Sequence, residues 1–94
     1  MDKETAAKIM ARIENCMQQL TEIVQIADAD CTGRETKVIR HGVGYVLSEI
    51  QDRIADPIYR TYPELVPKGV DYVPLEGPTI SELASAIETR RPAT

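Results

Sequence analysis

The chain has one histidine, His41, and two cysteines, Cys16 and Cys31, and these side chains are the natural starting points for acid–base, nucleophilic or metal chemistry. His41 has no carboxylate or nucleophile held beside it by local spacing, so the sequence does not assemble a general-base pair around it. One histidine and two well-separated cysteines do not have the ligand spacing of a zinc site. Gly42 and Gly44 form a Gly-x-Gly step but lack the preceding strand and third glycine of a dinucleotide loop. Glu49 and Arg53 stand four residues apart on a helical pattern, a spacing that makes a surface ion pair worth a few tenths of a kcal/mol, ~0.3–0.5. No catalytic residue, metal ligand set or cofactor site follows from these residues, and none is assigned.

The elements that would position these groups are helical. Residues 6–31 repeat apolar side chains in three stripes: Ala6, Ile13, Leu20 and Ala27; Ile9, Cys16 and Ile23; Met10, Met17, Val24 and Cys31. Three apolar positions in seven make a face broader than a two-stripe coiled-coil seam. Asp2 suits the N-cap, and the spacing predicts a first helix over about 3–29. Cys16 and Cys31 lie 15 residues apart on that helix, about 22 Å, too far to bridge each other, so both are expected as small core residues.

Thr32-Gly33-Arg34-Glu35 reads as a capping box and opens a second helix over about 33–56. Its apolar face is Ile39, Val43, Val46, Leu47, Ile50 and Ile54. Asp28–Gly33 is then a tight turn, and the two helices match in length as an antiparallel hairpin. Pairing outward from the turn sets Met10 near Ala55 and Ala6 near Tyr59. Gly42 and Gly44 inside this helix cost about 1 kcal/mol each relative to alanine, which predicts close backbone packing against helix 1 or against a second copy. The opposite face carries Val38, His41, Tyr45 and Asp52, a half-apolar stripe where a solvated one is expected, and this is the candidate contact surface.

Asp56-Pro57 is read as a break followed by a short helical turn over about 57–62. From 63 to 78 four prolines and two glycines punctuate Leu65, Val66, Val70, Tyr72, Val73 and Leu75. That stretch is too apolar for a free linker and too proline-rich for a central strand, so it is expected as an extended arm on a helical surface. Tyr62, Leu65, Tyr72 and Val73 are its candidate partner contacts. Thr79-Ile80-Ser81-Glu82 is a second capping box, opening a short helix over about 80–90, with Arg90 and Arg91 suiting its C-terminal end and Pro92 stopping it.

Residues 1–94 therefore read as one all-α domain: a long hairpin, a proline-rich arm and a short C-terminal helix. With no Phe and no Trp the core must be aliphatic. The net charge of −4 sets nucleic acid at a disadvantage, apart from the basic cluster Arg34, Lys37, Arg40 and His41 at the hairpin tip. No stretch is long and apolar enough to span a membrane, and Met1–Glu4 lacks the core of a signal peptide, so the expected location is cytoplasmic. Two wide apolar faces exceed what one hairpin can cover. The leading expectation is a non-catalytic protein–protein interaction module (adaptor, regulator or structural subunit) that pairs into a homodimeric four-helix bundle or completes another protein. A small-molecule-binding or enzymatic bundle with its pocket near Gly42 and Gly44, using His41, Tyr45, Glu49 and Arg53, is the alternative. Weak nucleic-acid contact through the basic tip is the third.

Overall fold

The computed structural model describes residues 1–90, with side chains through Glu88; Arg91 and Pro92, read above as a helix-end charge and a stop, lie outside the described residues. The protein is all-α, and no strand occurs among those residues. Helix α1 spans Lys3–Asp30 and is capped by Asp2, whose carboxylate accepts from the Thr5 N–H at 2.8 Å. That hydrogen bond holds the Asp2 carboxyl below its usual range. The helix ends where Cys31 turns extended while its N–H still donates to the Ala27 carbonyl at 2.9 Å.

Helix α2 spans Gly33–Ile50. Its capping box is complete: the Thr32 N–H donates to Glu35 at 2.9 Å, and the Glu35 N–H donates to the Thr32 hydroxyl at 3.2 Å. The Thr32 hydrogen bonds lower the Glu35 carboxyl from its ordinary value. Two contacts across the turn close the hairpin. The Thr36 hydroxyl donates to the Ala27 carbonyl at 2.9 Å, and Arg40 donates to both oxygens of Asp28 at 2.8 and 3.0 Å.

The helix does not break at Asp56-Pro57. A π-helical turn over Gln51–Ala55 passes directly into α3, Asp56–Thr61, and Ile50, Gln51, Ala55 and Asp56 all keep right-handed helical dihedrals. In a plain α-helix the Pro57 ring would press on the Arg53 carbonyl and leave it without a donor. The wider turn instead carries the Asp56 N–H to the Gln51 carbonyl, five residues back. One extra residue in a turn also re-phases everything after it by about 100°. That rotation brings Ala55, Ile58 and Tyr59 round to face α1.

They form the core there. Ala6, Met10, Ala55, Ile58 and Tyr59 are buried together at the closed end, with Ile9, Ile13, Tyr62, Leu65, Val66, Tyr72 and Ile80 packed around them. Ala27 is buried alone at the tip, and no residue of α2 is buried.

After a short 3-10 turn at Pro63–Leu65 the chain runs without regular structure to α4, Ile80–Arg90. Gly69 takes φ 86° between Lys68 and Val70, where the Val70 N–H closes a turn onto the Pro67 carbonyl at 3.3 Å. A residue with positive φ at that turn position favours glycine. The arm returns to its own helix. Arg60 Nε donates to the Leu75 carbonyl at 2.6 Å, and the Ile80 N–H donates to the Thr61 hydroxyl at 3.3 Å. A Cβ at Gly77 would sit 2.6 Å from Arg60 Cζ, so a larger residue there displaces the end of that arginine side chain. The second capping box forms between Thr79 and Glu82, with the Glu82 N–H donating to Thr79 Oγ1 at 3.3 Å.

Candidate functional site

The exposed feature with a single organisation is an aliphatic seam along one side of the hairpin. Ile9, Ile13, Cys16, Leu20 and Ile23 follow one another on α1 at spacings of four and three, so they share a stripe. Ile39, Val43 and Val46 do the same on α2. Ile54 joins them because the π-helical turn rotates it back by one position. Two open grooves run between the stripes. One is lined by Lys8, Ile9, Arg12, Ile13, Cys16 and Ile54; the other by Leu20, Ile23, Val38, Ile39, Gly42, Val43 and Val46. Ile23 and Val46 are each 45% exposed. In a core-facing stripe such side chains would be covered.

The expected core position of the cysteines is overturned: both Cys16 and Cys31 are exposed free thiols. Cys16 lies on the seam, and Cys31 follows the last turn of α1. The expected close approach at the glycines is also overturned within the chain. A Cβ built on Gly42 or on Gly44 meets nothing within 4 Å. Gly42 lines the groove, whereas Gly44 does not. Gly44→Ala is therefore expected to stabilise the protein by up to about 1 kcal/mol, the helix-propensity difference, seen as a raised urea midpoint with an unchanged slope. A lowered midpoint would mean that another surface packs on Gly44.

The eight candidate contact residues divide. Val38, His41, Tyr45 and Asp52 are all exposed along α2 and the π-helical turn, with Val38 71% and Tyr45 68% exposed; Val38 forms part of the groove wall. Tyr62, Leu65 and Tyr72 are half-buried against the chain's own core, so the arm uses them internally. Val73 remains 82% exposed. None of the alternative set His41, Tyr45, Glu49 and Arg53 lines the groove at Gly42; Glu49 and Arg53 pair with each other, and that pairing raises the Arg53 pKa. In the basic tip cluster Arg40 is neutralised by Asp28.

A polar cluster under the arm has no signal in local spacing. Asp56 is buried, and its carboxylate accepts from the Tyr72 hydroxyl and from the Gln51 side-chain amide, the latter at 2.7 Å. Gln51 also donates to the Tyr72 oxygen at 2.8 Å. The Tyr72 ring meets Tyr59 edge-on, with centroids 5.8 Å apart, and burial pushes the Tyr59 hydroxyl above its ordinary pKa. Tyr72 follows Asp56 by 16 residues, so no helical period could have connected them. Every polar group in the cluster is used by another, which makes it a clasp for the arm.

Among the described residues no three His, Cys, Asp or Glu side chains gather as a metal site, and no helix is long and apolar enough to cross a membrane. Comparison with protein-family models, characterised proteins and solved structures finds no match to the chain.

Proposed function

We propose that this protein is a helical protein–protein interaction module, an adaptor, regulator or structural subunit that acts by contact, and that its folded unit is a homodimer in which two hairpins close their seams into a four-helix bundle. The observation that supports this reading is surface area. The chain exposes 7378 Å², whereas a compact monomer of 10.5 kDa exposes about 5,400 Å². Its radius of gyration is 16.5 Å, against about 12 Å for a compact domain of this length. The surplus is about 1,900 Å² per chain, while a standard interface covers about 800 Å² on each partner and permanent dimers cover more. The aliphatic seam is the surface whose burial would remove that surplus at least cost in polar desolvation.

A second copy is favoured over a different protein because the apolar seam is balanced along its length. The half-apolar stripe of Val38, His41, Tyr45 and Asp52 is left at the edge or outside of such a bundle, where it can meet further partners. Cys16 lies midway along α1 and Cys31 just past its end, about 22 Å away and too far to pair within the chain. That fits a reducing compartment, and we place the protein in the cytoplasm.

Light scattering of untagged protein over a wide concentration range tests the reading. The expected mass is twice 10.5 kDa and resistant to dilution. Ile23→Asp or Val46→Asp puts a charge into the seam and is expected to weaken association at least tenfold, about 1.4 kcal/mol or more, with helicity retained. A wild-type monomer at every concentration would overturn the homodimer and pass the seam to another protein.

A further inference from the structure

We propose that the two copies pair with α1 antiparallel to α1, so that the two-fold axis passes through Cys16 and the hairpin turns point in opposite directions. This arrangement rests on the dimer reading above and adds its geometry. Two hairpin faces can close around a two-fold axis in two ways. With the axis along the helices, α1 lies on α2 of the second copy and both turns are at one end. With the axis across the helices, each helix lies on its own copy.

Two observations select the second way. First, the α1 stripe is almost symmetric about residue 16. Ile9 and Ile23 stand seven residues to either side, Ile13 and Leu20 lie between, and the small Cys16 occupies the centre. In an antiparallel self-pairing the central residue meets its own copy, and a small side chain there lets the helices approach. Second, Cys16 stands level with about residue 48 across the hairpin, given that Met10 packs with Ala55 and Ala27 bonds Thr36. Reversal about that level brings Ile54, 42% exposed, onto the open backbone at Gly42 of the second copy. A knob thus meets a hole, and a role for the otherwise unfilled Gly42 follows.

A short bis-maleimide reads the arrangement out. Each maleimide adds one thiol across its double bond, so no oxidant enters the reaction. The variant Cys31→Ala, with Cys16 as its sole thiol, is expected to give a covalent dimer on a denaturing gel in most of the protein. Cys16→Ala, which keeps only Cys31, is expected to give none, because the two tips would stand about 45 Å apart. Both cysteines are exposed, so both variants should keep the wild-type far-UV spectrum, and light scattering is run on each before cross-linking. A dimer that cross-links through Cys31, or that fails to cross-link through Cys16, overturns the antiparallel arrangement and leaves the dimer standing. A monomer overturns both.

Discussion

Ile58→Ala is expected to destabilise the protein by about 3–4 kcal/mol, the range for removing a branched aliphatic side chain from a closed core. Ile58 is only 1% exposed and sits among Ala6, Met10, Ala55 and Tyr59. Two of those neighbours are alanines, which cannot extend into the space, and among the buried neighbours only Met10 is flexible enough to refill part of it. A chain of this length has about 5–14 kcal/mol in total, so one substitution removes a large share. The measurement is urea unfolding followed by far-UV circular dichroism at fixed protein concentration, since any association would add to apparent stability. Ile58→Val should cost about 0.5–1.5 kcal/mol, and Val73→Ala, on the exposed arm, about zero. If Ile58→Ala cost no more than Val73→Ala, the closed end would not be the folding core.

Asp56→Ala is expected to cost about 2–3 kcal/mol by a different route. It leaves the Tyr72 hydroxyl and the Gln51 amide facing each other without their shared acceptor, and a hydrogen bond to a charged group is worth about 1.5–3 kcal/mol. Tyr72→Phe removes one donor and should cost less, about 1–2 kcal/mol. The two changes meet in one network, so the double variant should fall short of the sum by about 1 kcal/mol or more. The clasp also makes a local prediction. Lys68 lies in the arm between Pro67 and Gly69, and trypsin should cut there faster in Asp56→Ala than in wild type while α1 and α2 stay intact. Additive effects, or equal cutting rates, would mean that the arm is held by Arg60 and Thr61 alone.

Much of this architecture could be read from residues close together in the chain. Asp2, the Thr32–Glu35 box and the Thr79–Glu82 box are local signals: a side-chain oxygen three residues from an amide needs nothing else to form. Apolar spacing at the helical period marked α1 and α2, and counting back from the turn set Ala6 beside Tyr59 and Met10 beside Ala55, as the core has them. The π-helical turn was not legible, because its cause is one proline and its effect is a rotation that a steady period cannot represent. For that reason Asp56-Pro57 read as a break. Cys16 and Cys31 matched a core stripe in type and spacing, but a stripe records only that a face is apolar, not what covers it. Gly42 and Gly44 raised the same question from the opposite side: their cost was visible, and their surroundings were not. The Asp56–Tyr72 clasp depends on the arm folding back over a proline-rich stretch that has no period to extrapolate.

The placement of the tyrosines decides what light can report about this protein. With no tryptophan and no phenylalanine in the chain, near-ultraviolet absorption and emission come from four phenol rings. Three of them, Tyr59, Tyr62 and Tyr72, gather at the closed end, and the fourth, Tyr45, stands on the exposed side of α2. Intrinsic fluorescence and near-ultraviolet dichroism will therefore follow the seating of the arm. An optical melt therefore watches the clasp open, and the proposed meeting of two seams would register only through Tyr45.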